Sequence, residues 1–332
     1  MPTPQVIYSS TATQLKPRQN SFSRRKQAAN LDLDSNPHYF QVMAWLLKLR
    51  FMTTDQIARV LDPPIKARAV YDLLRRMYDE KVITRFDMPF RRKWGRGMTY
   101  GAAIAIHCLD RAGAVFLAER LKTDRSEIDW KPRDNQKNSP LPHRLETNNV
   151  LVTMHGGARR LGWQFEIVQS EREIHKRGGH DWLTDPTTNA RRPVKADAVC
   201  RLKLSTNESA LISLELDMGT EGEKKIKRKL RLHRQHWLTG KYQKRHGTKS
   251  SRIPFVVADI RDPWLVNPMG EDDWKRRIGE RVLLLKRWAQ EEEIEQHFWF
   301  APAYTLTAET IWQQPLWLRP ELAKPVPFIL VS

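Results

Sequence analysis

Residues 196–217 read ADAVCRLKLSTNESALISLELD, two runs of alternating side chains on either side of a polar turn. Successive side chains of a strand point to opposite faces, so this alternation predicts two strands joined at Asn207, a residue that suits a turn. Asp197 stands near the start of the first strand. Glu215 and Asp217 stand at the end of the second, on the face opposite Ile212, Leu214 and Leu216. The sequence therefore predicts a hairpin with carboxylates at its strand ends.

Outward from this hairpin, the second half of the chain alternates helical and strand patterns. The predicted elements are a helix at 143–161, a strand at 164–168, a polar loop at 175–192, then helices at 221–240 and 274–290 and strands at 253–258 and 298–301. Gly156-Gly157 weakens the prediction of the first helix. This α-β-β-β-α-β order predicts a mixed α/β domain over 142–310, followed by a C-terminal tail at 311–332.

The element order and the carboxylates resemble the PD-(D/E)XK nuclease fold, through Asp197 and the segment Glu215-Leu216-Asp217. The resemblance implies that Asp197 and Glu215 bind Mg²⁺ or Mn²⁺, because hard carboxylate oxygens suit such ions. The ion would activate water and stabilise the phosphate undergoing attack. Asp217 would assist, and Glu146, on the first helix of the domain, is a further candidate ligand.

The chain departs from the nuclease pattern at its last position, where Asp217 replaces a lysine. Lys195 lies two residues from Asp197 on the same strand face and is our candidate to position the attacking water. Lys225 and Lys229, on the following helix, are alternatives. The carboxylates can also be read as partners of that basic helix in surface salt bridges, in a degenerate nuclease domain that only binds DNA.

The charge and composition of the chain limit the functions it can have. The 332 residues carry a net charge of +19, and the stretch 221–249 holds eleven Lys and Arg against two Glu. Such an excess favours a polyanionic partner, most often nucleic acid. Two cysteines, short apolar runs and no secretory pattern at the N-terminus favour a cytoplasmic protein with no membrane contact.

The first half of the chain begins with a polar, basic arm at 1–36, which we expect to be disordered. Residues 37–122 then predict three helices, a hairpin and a fourth helix, and 123–141 form a linker. This order resembles the winged helix-turn-helix, with the third helix as the recognition helix and the hairpin loop as the wing. A protein-interaction domain is the alternative. The candidate DNA contacts are Lys66, Arg68, Tyr71 and Arg75 on this helix, Arg91, Arg92, Lys93 and Arg96 in the wing, and Lys225 and Lys229 in the second domain.

Taken as a whole, the chain resembles the replication-relaxation family of plasmids and integrative elements. The matching stretches are Thr54-Asp55-Gln56-Ile57, Leu109-Asp110-Arg111-Ala112-Gly113, His143-Arg144-Leu145, Asp197-Ala198 and Leu214-Glu215-Leu216-Asp217-Met218-Gly219-Thr220-Glu221. The resemblance implies double-stranded DNA with an origin-like site as partner, together with relaxosome or replication proteins and a second copy of the chain. It implies metal-dependent nicking as the activity, or a non-catalytic initiator, relaxosome accessory or regulator as the alternative.

Three histidines of the second half are further candidate site residues: His233, His236 and His143. His233 and His236 are three apart on a predicted helix, with Tyr242 nearby, but no third histidine follows at a suitable spacing. We therefore expect them to lie on a solvated helix face. His143 is expected to cap or orient the first helix of the second domain.

Overall fold

The computed structural model of the chain describes residues 32–88, 91–94, 97–100, 104–128, 130, 141–176, 178–205, 208–248, 251–258, 271–294 and 297–329. Contacts divide the chain into two units, residues 1–134 and 135–332. Residues 1–31 of the predicted arm at 1–36 and most of the predicted linker fall outside the described residues. Within the described residues, no helix combines the length and apolar character needed to cross a bilayer.

The first unit is a mixture of helices and short strands. Its elements are α1 (Pro37–Leu49), β1 (Met52–Thr53), α2 (Thr54–Val60), α3 (Ala67–Asp79), β2 (Ile83–Met88), β3 (Arg91–Trp94), β4 (Gly97–Tyr100), β5 (Ile104–Leu109) and α4 (Arg111–Leu121). Strand β5 pairs antiparallel with both β1 and β2, and β3 pairs with β4 in a separate hairpin. The four predicted helices and the two strands of the predicted hairpin, β2 and β5, are confirmed. The segment predicted as a loop around residues 90–97 instead contains β3 and the start of β4.

Local sequence signals set the helix starts in this unit. The Asn36 side chain accepts a hydrogen bond from the His38 N–H, ahead of Pro37 at the first helical position. Thr53 and Gln56 form a reciprocal capping box at α2. Gly113 allows α4 to approach β2, because a Cβ there would lie 2.3 Å from the Val82 carbonyl oxygen.

The second unit is built on a five-stranded mixed sheet. Its elements are α5 (Leu141–Arg160), β6 (Gln164–Ser170), α6 (Glu171–His175), β7 (Asp181–Thr184), β8 (Arg191–Val194), β9 (Ala198–Lys203), β10 (Ser209–Asp217), α7 (Glu223–Leu238), α8 (Lys241–His246), β11 (Ile253–Val257), α9 (Glu271–Glu291) and β12 (Phe298–Pro302). The strand order is β12-β11-β10-β9-β6. Strands β6, β9 and β10 pair antiparallel, and β10, β11 and β12 pair parallel. The chain is therefore a mixed α and β protein, as predicted.

The core of this unit lies between the sheet and the helices that connect its parallel strands. Ile226 and Leu230 of α7 and Val282 and Leu285 of α9 are buried with Phe255 of β11 in one cluster. Burying these side chains is favourable by roughly 1.5–3 kcal/mol each. This packing fixes α7 and α9 next to the end of β10, where Glu215 and Asp217 lie.

Three predictions in the second unit need correction or extension. The predicted loop at 175–192 contains β7 and the start of β8, which pair as a hairpin. The hairpin is held against α7 because Leu183 and Val194 pack on Leu232. Sequence spacing alone does not reveal that long-range contact. Helix α5 also continues through Gly156 and Gly157.

The segment 311–329, expected as a tail, packs into the second unit. Trp312, Trp317 and Phe328 are fully buried. The Trp312 indole N–H donates to the Met154 carbonyl of α5 at 3.2 Å. A Cβ at Gly157 would lie within 2.9 Å of Trp312 side-chain atoms, so glycine here permits a close approach.

Candidate functional site

Asp197 is fixed against the end of β10 by two backbone hydrogen bonds. Its own N–H donates to the Leu214 carbonyl at 2.8 Å, and its Oδ2 accepts from the Leu216 N–H at 2.7 Å. Glu215 lies between those two β10 residues. The predicted pairing of the two strands therefore brings the Asp197 and Glu215 carboxylates into one site.

Glu215 is only 1% exposed, and both of its carboxylate oxygens have a partner on α7. Lys229 Nζ lies 3.1 Å from Oε2, and His233 Nε2 lies 2.8 Å from Oε1. Residues four apart share one helix face, which is why α7 presents both groups to the same carboxylate. A buried carboxylate needs such partners to remain charged.

The two carboxylates differ in their acidity. Burial raises the pKa of Asp197 to about 6, opposed by nearby His143 and assisted by the charge of Glu215. Burial also opposes ionisation of Glu215, yet Lys229 and His233 together lower its pKa to about 2. The carboxylates in turn raise the pKa of Lys229 against the effect of its burial. The site therefore holds an ionised Glu215, stabilised by Lys229 and His233, beside an Asp197 whose pKa is raised by burial.

His143 of α5 lies at this site. Its Nε2 is 3.6 Å from Asp197 Oδ2 and 3.3 Å from the Leu216 carbonyl oxygen. An imidazolium at that distance favours the charged form of Asp197. The structure thus adds a contact with Asp197 to the helix-orienting role expected from the sequence.

Asp217 lies two residues beyond Glu215 but pairs with a different helix. Its Oδ2 accepts from Arg281 Nε of α9 at 2.6 Å, and its Oδ1 accepts from the Gly219 N–H at 3.0 Å. Arg281 also donates to the Glu221 carbonyl oxygen at 2.6 Å, and its guanidinium lies over the Trp288 ring. Asp217 is therefore part of a buried ion pair that joins β10 to α9.

The other predicted site residues of this unit take separate positions. Lys195 follows β8, is half-buried and has no ion-pair partner among the described residues. Burial lowers the pKa of His175, and the charge of Lys195 lowers it further. Lys225 Nζ lies 2.5 Å from Glu221, a residue that Lys229 also contacts at 3.2 Å. Glu146 is half-buried on α5, one turn after His143.

No group of three or more His, Cys, Asp or Glu in the described parts of the chain is arranged to hold a metal ion. Asp197 and Glu215 therefore form a pair of carboxylates with a lysine, and not an all-protein metal cage. Asp197 nevertheless keeps 17% of its side chain accessible. Its Oδ1 accepts no hydrogen bond from the described residues, so that oxygen is open to an external partner.

The expectation of a solvated face for His233 and His236 is wrong, since each is only 6% exposed. His236 Nε2 lies 2.8 Å from Asp181 Oδ2, which also pairs with Arg245. The helical spacing of Ile226, Leu230 and His233 places the histidine on the apolar face of α7. That spacing was the signal in the sequence that could have identified His233.

The first unit presents the other candidate residues on α3. Its apolar face, which includes Val70, Leu73, Leu74 and Met77, is buried. Lys66, Arg68, Tyr71 and Arg75 are exposed, and the Arg68 guanidinium lies 5.6 Å from the centre of the Tyr71 ring. Arg91, Arg92 and Lys93 belong to β3, and Arg96 lies outside the described residues.

The second unit combines a mixed sheet with buried carboxylates at the end of β10 and a lysine from the next helix. The first unit is a mixture of helices and short strands. The chain is therefore a two-unit α and β protein with a carboxylate site in its second unit. The sequence profile of the replication-relaxation family matches residues 43–251. Because this match covers more than half of the chain, the protein belongs to the replication-relaxation family. No curated protein and no solved structure matches it. Family membership supports a role in the replication or relaxation of plasmids or mobile elements.

Proposed function

We propose that this protein binds DNA during plasmid or mobile-element replication or transfer, and that its second unit nicks DNA in a metal-dependent reaction. One observation carries the catalytic part. Lys229 lies 3.1 Å from Glu215 beside Asp197, so α7 supplies the lysine that the motif position occupied by Asp217 lacks. Two carboxylates with a neighbouring lysine are the groups that a PD-(D/E)XK nuclease uses.

The donor set fits a magnesium or manganese ion. Mg²⁺ is commonly bound by one or two carboxylates, with waters and substrate phosphates completing its coordination. Asp197, through its open Oδ1, and Glu215 would hold the ion. Both Glu215 oxygens already have partners on α7, so the ion would use the second lone pair of one of them. When bound, the ion supplies positive charge to the phosphate and increases the acidity of water. Asp217 pairs with Arg281 of a different helix and with the Gly219 N–H, so we assign it to the support of the strand end.

The residues of the chain then have separate tasks. Lys229 keeps Glu215 ionised and presents an ammonium that can donate to a phosphate oxygen or to the attacking water. His233 holds the second oxygen of Glu215 in place. His143 favours the charged form of Asp197. Hydrolysis would leave 5′-phosphate and 3′-hydroxyl ends, as the fold resemblance implies.

The first unit is proposed to be a winged helix-turn-helix domain that selects the DNA site. Its three helices followed by paired strands, with the basic residues of α3 exposed and its apolar residues buried, support that assignment. Arg68, Tyr71 and Arg75 would approach the groove, and the basic residues of β3 would contact phosphates.

A second function, DNA binding without catalysis, is favoured by a different observation. Glu215 and Asp217 both have cationic partners inside the protein, and the described residues form no larger metal-binding group. A degenerate nuclease domain would have this arrangement. The protein would then be an initiator, a relaxosome accessory or a regulator.

Nicking of supercoiled DNA separates the two functions. Purified full-length protein would be incubated with DNA of its encoding element in Mg²⁺, in Mn²⁺ and in EDTA, beside Asp197→Asn and Glu215→Gln variants. Nicked product that requires both the metal and the two carboxylates supports the enzyme. A metal-independent gel shift without any cutting, weakening steeply with salt, would reject the enzyme in favour of the binding protein.

A further inference from the structure

The hairpin of β7 and β8 carries an exposed aromatic side chain. Trp182 leaves 45% of its surface accessible, whereas Trp312 and Trp317 of the same unit are buried. The Arg191 guanidinium lies 5.7 Å from the Trp182 ring centre, and the His180 ring lies 5.6 Å from it. An exposed indole with an adjacent guanidinium is a surface suited to stacking and to phosphate contact.

The acidic residues of this hairpin are already neutralised. Asp181 accepts two hydrogen bonds from Arg245, at 2.7 and 2.8 Å, and Asp185 is buried with Arg231 4.0 Å away. Arg191 and Arg192 are exposed, and neither has a carboxylate partner within the described residues. The accessible charge of the hairpin is therefore positive.

Lys241 adds a further positive charge, because its Nζ donates to the Trp182 carbonyl oxygen at 3.0 Å. The hairpin is held in place independently of the indole. Leu183 and Val194 pack on Leu232, and the Asp181 interactions attach the start of β7 to α7 and α8. Replacing Trp182 therefore removes a surface group and leaves the packing of the hairpin intact.

The hairpin also leads directly to the carboxylate site. Trp182 pairs with Pro193, which precedes Asp197 by four residues. Four residues of extended chain span at most about 14 Å. A nucleic acid strand lying in the site could therefore reach the hairpin within a few nucleotides.

We propose that this hairpin binds single-stranded DNA next to the carboxylate site, with an unpaired base stacked on Trp182 and neighbouring phosphates on Arg191 and Arg192. The inference rests on the proposed function, because it takes DNA as the substrate, and it adds that the second unit binds an unpaired strand. The base faces of a duplex are covered by their neighbours, so only an unstacked base can use the indole face.

Fluorescence anisotropy of the full-length protein tests this proposal. The probes are a labelled oligo(dT) of about 16 nucleotides, comparable to one single-strand binding site, and a labelled duplex from the encoding element, both in EDTA so that neither is cut. Trp182→Ala is expected to weaken oligo(dT) binding by about 5- to 150-fold, the range for loss of one base stack. Trp182→Phe should retain most of the affinity, and duplex binding should not change.

The basic residues and a matched aromatic control complete the experiment. An Arg191→Gln, Arg192→Gln double variant should reduce the salt slope of oligo(dT) binding by about 1.4, since each phosphate contact contributes about 0.7. Tyr304→Leu is the control, because Tyr304 is 38% exposed in the same unit and has Lys275 5.9 Å from its ring centre. It should bind both probes like the wild type.

The outcomes distinguish the hairpin from the proposed function. The hairpin proposal is overturned if Trp182→Ala binds oligo(dT) as tightly as the wild type, or if Tyr304→Leu loses as much affinity as Trp182→Ala. In either case, wild-type binding of the duplex would still support the proposed DNA-binding function. Equal losses for oligo(dT) and duplex would also overturn it, because stacking on an unpaired base cannot explain them. A wild-type protein that binds neither probe would overturn the proposed function as well.

Discussion

Glu215 and Asp217 lie two residues apart on β10, and both side chains are almost completely buried, yet they pair with different cations on different helices. Glu215 contacts a lysine and a histidine of α7, whereas Asp217 pairs with an arginine of α9. Arginine stays charged and its planar fork fixes a geometry, while an ammonium is a compact charge that can exchange partners. Equal burial of two carboxylates therefore does not imply equal roles.

The largest expected effect concerns the stability supplied by Asp217. Asp217→Ala leaves the half-buried guanidinium of Arg281 without its buried carboxylate partner, and the free energy of unfolding should fall by about 3–5 kcal/mol. Urea unfolding followed by circular dichroism measures this change. Glu280→Ala is the control, because the Glu280 pair with Arg276 is exposed on the same helix and should contribute less than about 1 kcal/mol. Equal losses in the two variants would contradict the assignment of Asp217.

The next effect concerns catalysis at Glu215. Lys229→Met removes the ammonium beside the carboxylates, and the rate of metal-dependent nicking should fall by at least about 100-fold, a typical effect of losing one electrostatic catalytic group. Lys227→Met is the matched control on the same helix, because Lys227 pairs with Glu223 and Glu291. Nicking rates on supercoiled DNA, with thermal unfolding to verify folding, test the pair. If the Lys229→Met variant nicks DNA at the wild-type rate, Lys229 has no role in the mechanism.

A smaller effect is expected in the pH dependence of stability at Asp197. Its pKa rises from 3.8 to about 6 on folding, so the folded protein binds this proton more tightly than the unfolded chain. The resulting stability is present at low pH and is lost as pH rises through about 6, by roughly 2–3 kcal/mol. Asp197→Asn lacks this titration but can still accept the Leu216 hydrogen bond.

The stability of Asp197→Asn relative to the wild type should therefore increase between about pH 4 and pH 7. Urea unfolding of both proteins across that range measures the difference, and titratable groups that do not interact with Asp197 cancel. A difference that stays constant with pH would show that Asp197 does not titrate in this range.

The smallest effect separates the two kinds of cation. Arg281→Lys keeps the charge next to Asp217 but loses the forked contacts to Asp217 and to the Glu221 carbonyl. A loss of about 1 kcal/mol in the free energy of unfolding is expected, comparable to one or two hydrogen bonds. Nicking should continue at a rate close to that of the wild type. A large loss of nicking with little loss of stability would place Asp217 in the catalytic site.

The sequence predicted much of the fold because its strongest signals are local. Alternation predicts β9 and β10, and local capping residues such as Asn36 and Thr53 lie at the helix starts in the structure. The hairpin of β7 and β8 was missed because its apolar residues are few and depend on Leu232, far along the chain. Gly156-Gly157 weakens the helix prediction, and the close approach of Trp312 that explains Gly157 involves a residue still farther along the chain.

By itself, the sequence determined the main helices and strands, the positive charge and the presence of carboxylates at two strand ends, since each depends on spacing or composition. Only the tertiary structure decided which cation each carboxylate receives. Lys195, Lys225 and Lys229 were all available from spacing, and the packing of α7 on the sheet selected Lys229 for Glu215. The packing of α9 likewise places Arg281 beside Asp217, 64 residues away in the chain. Ion pairing between distant segments depends on how helices pack, and no local pattern encodes it.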